Sequence, residues 1–292
     1  MARRLRLLIQ AGWTLITNSY AVGFVQGKIY KGALKNVCLP GLNCYSCPGA
    51  VGSCPLGSLQ AVMGSWKFNV SLYMAGFFMI VGALCGRLVC GFLCPFGLVQ
   101  DLLHRIPIGK KRNRFRADRV LQYLKYVIGL VFVVLLPLLV VDIIGQGNPT
   151  FCKYICPSGM LLGGWPLVAK NPSLQAMLGW LFAWKNVILL VTVVASVLIY
   201  RPFCKYICPL GAIYGFFNRT SLYRLRVDST KCNGCGACSR ACKMCVEPWK
   251  TPNHRECIRC GGCIKACPQG AISAGIGEKG LRRGCKREET AV

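Results

Sequence analysis

The chain has 292 residues, 54% of them hydrophobic and 15% charged, with 36 Lys+Arg against 9 Asp+Glu. A soluble domain averages about a quarter charged residues, which excludes an ordinary water-soluble globule. The long apolar segments turn the basic excess toward a membrane surface and anionic metal centres, not toward a nucleic-acid partner.

The first predicted span runs from Leu7 to Val25, behind the basic residues Arg3, Arg4 and Arg6, with Gln10, Thr14 and Asn18 inside it. A signal anchor is the alternative reading of this segment. The loop after it carries Cys38, Cys44, Cys47 and Cys54. The second span runs from Val70 to Val89 and leads into Cys90 and Cys94. A basic stretch follows, with Arg105, Lys110, Lys111, Arg112, Arg114, Arg116 and Arg119. The third span, Tyr126 to Ile144, contains Pro137 as an expected kink and precedes Cys152 and Cys156. The fourth, Ala183 to Tyr200, starts behind Trp180 and Trp184, which suit an interfacial belt, and precedes Cys204 and Cys208. The segment after Tyr200 carries 17 Lys+Arg. Basic residues concentrate in alternate loops, so the positive-inside rule places both termini in the cytoplasm.

Most of the 21 cysteines repeat at short spacings, which indicates metal ligation more than disulfides. Cys-Pro-x-Gly occurs four times, at Cys54, Cys94, Cys156 and Cys208, and three of these extend to Cys-x-x-x-Cys-Pro. The motifs alternate outside, inside, outside, inside. This reads as two parallel repeats of two spans each, related by a pseudo-twofold axis along the membrane normal. Pairing the repeats gives an outer set, Cys47, Cys54, Cys152 and Cys156, with Cys44 and Cys38 as further candidates. It gives an inner set, Cys90, Cys94, Cys204 and Cys208. Four thiolates suit a [4Fe–4S] cluster; zinc also takes four cysteines, and buried free thiols are the plainest alternative. The proline after each cysteine suits a first helical turn, which would set an anionic cluster against a helix N-terminus.

The last part of the chain holds Cys232-x-x-Cys235-x-x-Cys238-x-x-x-Cys242 and then Cys257-x-x-Cys260-x-x-Cys263-x-x-x-Cys267-Pro268. This is the two-cluster ferredoxin spacing, in which the fourth cysteine of each run ligates the other cluster. The expected ligands are Cys232, Cys235, Cys238 and Cys267 for one cluster, and Cys257, Cys260, Cys263 and Cys242 for the other. Cys85 reads as packing. Cys245 and Cys285 have no assigned role. His104 and His254 read as surface residues. Asp101 and Asp142, at membrane edges, read as helix-end residues or handlers of quinol protons.

In this combination of spans, Cys-x-x-x-Cys-Pro motifs and a C-terminal ferredoxin pair, the chain resembles the NapH/NosR/CcoG group of membrane-bound polyferredoxin-like proteins. The resemblance covers nearly the whole chain and implies electron transfer between a membrane or cytoplasmic donor and an extracytoplasmic acceptor, with quinol as donor in NapH-like members. Two departures stand out. A large flavin-binding domain like that of NosR is not present, so a flavin would come on a separate partner. The outer cysteines are not part of the NapH pattern.

The expected architecture is an all-α membrane bundle of four transmembrane helices over residues 1–227. A cytoplasmic ferredoxin-type α+β domain over 228–275 and a disordered basic tail over 276–292 complete it. Three functions follow as alternatives: a transmembrane electron conduit, the electron-transfer component of a quinol-oxidising system, and a redox sensor or metal-centre maturation factor.

Overall fold

The computed structural model describes residues 3–65, 71–108, 111, 117–142 and 146–276. Val70, Ile144, Lys67, Lys110, Arg112, Arg114, Arg116, Cys285 and the tail 277–292 lie outside the described residues. The elements in chain order are α1 (Arg3–Thr17), α2 (Pro55–Gly64), α3 (Tyr73–Cys85) and α4 (Pro95–Leu103). A long helix, α5, begins as Asp118–Ile128 and continues through π-helical Gly129–Leu135 into Leu136–Leu139. Then come α6 (Pro157–Gly159, running on through Met160–Gly164 to Trp165–Lys170), α7 (Trp180–Leu198) and α8 (Pro209–Phe217). Strand β1 (Tyr223–Val227), α9 (Ala237–Ala241), α10 (Gly262–Ala266) and strand β2 (Ile272–Ile276) complete the fold. The two strands pair antiparallel, Tyr223 opposite Ile276 and Val227 opposite Ile272.

Among the described residues, two helical stretches are long and apolar enough to cross a bilayer, Val120–Leu139 and Trp180–Leu198. Only 17% of each apolar window is buried within the protein, so neither is the core helix of a soluble domain. Val187, Leu190, Val191 and Val194 face outward, as do Trp180 and Trp184. Pro137 has no N–H to close the α ladder, and the π-helical stretch lies just before it, where the ladder shifts register. The freed Phe132 carbonyl accepts from Thr150 Oγ1 at 2.6 Å.

The other two expected spans take a different form. The segment from Leu7 to Val25 breaks after Thr17, because the Thr17 carbonyl accepts from the Val51 N–H at 3.1 Å rather than continuing the helix. A separate short helix, Ala21–Gln26, follows. The second span is 13 residues, Tyr73–Cys85, about 20 Å at 1.5 Å per residue against a hydrocarbon core of about 30 Å. It stops at Gly86, whose φ of 52° few other residues adopt.

Each Cys-Pro motif starts one of the shorter helices. Cys54, Cys94, Cys156 and Cys208 are the N-caps of α2, α4, α6 and α8, in extended conformation, with the proline in the first turn. These helices are apolar and pack on the long ones. The α4 helix lies on α1 and α7, α2 on the second half of α5, and α8 on the first half of α5 and on α3. One continuous core therefore holds cysteines of the outer loop, of the inner motifs and of the C-terminal runs together.

Candidate metal centres

The inner motifs converge. Cys90, Cys94, Cys204 and Cys208 are all buried, and each lies close enough to feel the charge of others in the set. The approach is organised by two arginines, each three residues before the first cysteine of its motif. The Arg87 Nη2 donates to the Cys204 carbonyl at 2.9 Å, and Arg201 Nη1 donates to the Cys90 carbonyl. Each guanidinium thus crosses to the other repeat. The glycine of each Cys-Pro-x-Gly makes room: a Cβ on Gly97 would sit 3.3 Å from Arg201, and one on Gly211 would sit 3.1 Å from Arg87.

Both arginines are fully buried, so both need acids. Arg201 forms a two-point pair with Asp101, at 2.8 and 2.6 Å, and Arg6 reaches the same carboxylate at 2.6 Å. With both oxygens held by guanidinium groups, Asp101 serves as a counter-ion and not as a free proton acceptor. Arg87 pairs with Glu256 at 2.6 Å, and Lys125 binds the other oxygen of Glu256. Lys205 pairs with Asp118 at 2.6 Å. Five buried cations thus meet three buried acids around the inner set. The surplus is positive, and four thiolates around a dicationic iron–sulfur core leave a dianion.

Around the outer motifs the grouping differs from the expected one. Cys54, Cys152 and Cys156 lie together, and Cys44 is the loop cysteine whose charge reaches all three. Cys44 Sγ stands 3.7 Å from where a Gly159 Cβ would be, over the first turn of α6. Cys47 lies beyond a tight turn, its N–H donating to the Cys44 carbonyl at 3.1 Å, and its thiol donates to Asn18 Oδ1 at 3.5 Å. Cys38 sits apart, with Ser58 Oγ at 3.3 Å and Met74 Sδ at 3.6 Å. Lys185 donates to the Cys152 carbonyl at 3.3 Å, the outer counterpart of the arginine contacts.

The outer loop reaches inward. A Cβ on Gly41 would lie 2.3 Å from the Leu93 carbonyl and 3.0 Å from Cys94 Cα, so only glycine lets the outer loop rest on the inner motif. The Tyr214 hydroxyl donates to the Pro40 carbonyl at 3.1 Å. Fully buried, that tyrosine belongs to the same packed core as Cys90 and Cys94 of the inner set and Cys54 of the outer one.

In the C-terminal runs a small cavity is lined by Cys232, Cys235, Cys238 and Cys267, beside Trp249 and Ile272. Cys242 lies with Cys257, Cys260 and Cys263. The crossed pairing follows from α9 and α10 packing together with Cys242 and Cys267 as their C-terminal caps. Gly234, Gly236 and Gly261 take φ between 69° and 74°, conformations that wrap backbone closely around a centre. Burial pushes the free Cys257 and Cys263 thiols up to about 12, so a cluster held there would have to displace their protons.

The donor chemistry fits iron–sulfur clusters. Sulfurs accept from the Gly97 and Ala271 N–H groups, each at 3.3 Å, as cluster thiolates do. Among the described residues no three His, Cys, Asp or Glu side chains close on a point that one metal ion would fill. A cubane holds its thiolates on a wider tetrahedron than a single zinc ion does.

Other expectations meet mixed outcomes. His104 is buried, not on the surface, and stands edge-on to the Tyr200 ring at 5.4 Å. His254 is exposed. Asp142 accepts from Asn148 Nδ2 at 2.6 Å, an exposed contact. The Cys85 carbonyl accepts from Arg259 at 2.8 Å, and Cys245 Sγ lies 3.7 Å from Lys205 Nζ. Arg87 and Arg201 were legible as a repeated Arg-x-x-Cys-x-x-x-Cys-Pro, a signal that a search for cysteine spacing alone passes over.

Comparison with known proteins agrees with this chemistry. A family described as "4Fe-4S binding domain" matches residues 69–114, 126–185 and 180–228, just over half of the chain, and each match contains one Cys-x-x-x-Cys-Pro motif. A second family of the same description matches residues 251–273. An uncharacterized protein of Methanocaldococcus jannaschii is 28% identical over 211 residues, 70% of this chain and 71% of that protein. The methylamine utilization ferredoxin-type protein MauN of Paracoccus denitrificans is 30% identical over 63% of this chain and 58% of its own length. The ferredoxin-type protein NapH of Escherichia coli is 26% identical over 64% of this chain and 59% of its own length. No solved structure matches.

Proposed function

We propose a function on the premise that this chain belongs to the NapH-type polyferredoxin-like 4Fe–4S proteins: it is a ferredoxin-type electron-transfer protein that connects the two faces of a membrane. In this reading it passes electrons between a cytoplasmic donor or acceptor at the C-terminal unit and an extracytoplasmic redox partner. Four cysteine sets hold [4Fe–4S] clusters: Cys232, Cys235, Cys238 and Cys267; Cys242, Cys257, Cys260 and Cys263; Cys90, Cys94, Cys204 and Cys208; and Cys44, Cys54, Cys152 and Cys156. Bound there, each cluster supplies a one-electron redox couple. Four membrane helices, α1, α3, α5 and α7, enclose the core sets with lipid outside and both termini in the cytoplasm, supported by the distribution of basic residues. The C-terminal unit begins at Tyr223 rather than residue 228, supported by the pairing of β1 with β2.

The residues of the chain bring these sets into sequence. Glu256, next to Cys257, is held by Arg87, which also binds the Cys204 carbonyl. That contact seats the C-terminal unit against the inner set. The observation that carries the reading is the position of Tyr214. Clusters at opposite headgroups would be about 30 Å apart, too far for useful tunnelling, but one buried tyrosine packs in the same core as Cys54 of the outer set and Cys90 and Cys94 of the inner set. The outer loop is folded inward through Gly41 and Pro40, so the gap is shortened from the outer side.

The test is electron flow in sealed vesicles carrying the Cys152→Ser, Cys156→Ser double variant. Reductant supplied on the C-terminal side should no longer reduce an impermeant acceptor on the other face, while the C-terminal clusters remain reducible. Unchanged flow across the membrane would remove the outer set from the path and the conduit with it.

A further inference from the structure

We propose that Gln60 and Gln100 are paired hydrogen-bond donors that set the reduction potentials of the two core clusters, one glutamine at each. The proposal rests on the reading that the core cysteines hold clusters. Each glutamine stands six residues after a Cys-Pro cysteine, in Cys54-Pro-Leu-Gly-Ser-Leu-Gln60 and Cys94-Pro-Phe-Gly-Leu-Val-Gln100. Gln60 Nε2 lies 3.2 Å from Cys152 Sγ, and Gln100 Nε2 lies 3.2 Å from Cys204 Sγ. Both sulfurs belong to the first cysteine of a Cys-Lys-Tyr-Ile-Cys-Pro motif in the other repeat.

The environment makes this more than packing. Both glutamines are completely buried, where an amide without a partner is costly. The orientation of Gln60 is settled by its other end, since Oε1 accepts from the Phe151 N–H at 2.9 Å. That leaves the NH2 facing the sulfur. At Gln100, among the described residues, the side-chain amide hydrogen-bonds to Cys204 Sγ alone, an acceptor when it is a thiolate. The same position in α6 and α8 is Leu162 and Tyr214, so the device comes from the first repeat alone. Each core site receives one side-chain amide on one sulfur, and its pseudo-symmetry is broken in the same way.

Reduction adds one negative charge to the cluster and its thiolates. An N–H aimed at a sulfur stabilises the more negative state more, so it raises the potential. Removing it makes the site harder to reduce.

The experiment uses the full-length chain in detergent or nanodiscs, with Gln60→Met and Gln100→Met, which keep most of the volume and lose the donor. Iron and sulfide are quantified first, and midpoints are then read by EPR-monitored titration. Each variant should lower the midpoint of one core cluster, and the two variants should act on different clusters. The expected effect is about a tenfold fall in the reduced-to-oxidised ratio at fixed poise, about 59 mV for a one-electron couple. The C-terminal clusters should not move. Loaded variants with unchanged core midpoints would overturn the proposal, as would a shift confined to the C-terminal clusters. A measurement on the unmodified sequence guards against variants that fail to load: with 15N-labelled glutamine side chains, both reduced core clusters should show hyperfine coupling to an amide nitrogen, and absence of that coupling would also overturn it. A wild-type chain holding only about eight irons would instead defeat the underlying reading of the core sets.

Discussion

Arg87 and Arg201 exchange contacts between the two inner motifs: each stands three residues before its own cysteine and donates to the backbone carbonyl of the other's, Cys204 and Cys90. The two repeats are thus tied through charged groups in a fully buried place. Such an arrangement persists only where acids and an anionic centre offset the cost of burying charge.

Replacing Arg201 by Met should therefore do more than remove a contact. Asp101 keeps Arg6 but loses its two-point partner, and breaking a buried pair costs about 3–5 kcal/mol. Purified Arg201→Met should melt earlier in detergent and carry about four fewer irons per chain. Wild-type iron and melting temperature together would show that the arginine does not organise the inner set.

Cys44 and Cys47 separate cleanly. Cys44→Ser should lose about four irons from a total of about sixteen, while Cys47→Ser should lose none, because its thiol contacts Asn18 rather than the other three outer cysteines. Iron and sulfide quantitation under anaerobic conditions decides this. The reverse pattern would return Cys47 to the outer set.

Glu256→Gln should loosen the seating of the C-terminal unit. It leaves Arg87 and Lys125, both completely buried, facing a neutral amide, and the expected penalty is about 3–5 kcal/mol. Hydrogen exchange should accelerate in residues 254–260 and around Arg87 before it changes in α7. Equal protection of wild type and variant would mean that the contact is dispensable for docking.

Tyr214 is the sharpest test of the path. Tyr214→Phe removes one hydrogen bond to the Pro40 carbonyl, worth about 1 kcal/mol, and should leave electron flow across vesicles close to wild type. Tyr214→Leu removes the ring from the core that the two sets share and should slow that flow with iron content retained. Equal rates for wild type and the Leu variant would place the path elsewhere.

Much of this architecture is legible in the chain itself. Cysteine identity and spacing announce iron–sulfur chemistry. The proline after each motif cysteine announces a helix start, because a missing N–H costs nothing in a first turn, and all four motif cysteines are N-caps. Apolar length marks α5 and α7 for a bilayer. Helix starts and apolar runs are local properties, decided by neighbours a few residues away. The first two expected spans were less legible because their ends depend on distant partners: α1 stops where Val51 takes the Thr17 carbonyl.

What only the tertiary structure decided is which side chains meet. Spacing along the chain favours Cys47 as readily as Cys44, but the turn between them carries Cys47 to Asn18 and leaves Cys44 over α6. The crossing of Arg87 and Arg201, the capture of Glu256 and the two glutamine–sulfur contacts each join residues about a hundred or more positions apart. Buried charge and buried amides must find partners wherever the fold supplies them, and that supply is set by how helices pack, not by the order of residues along the chain.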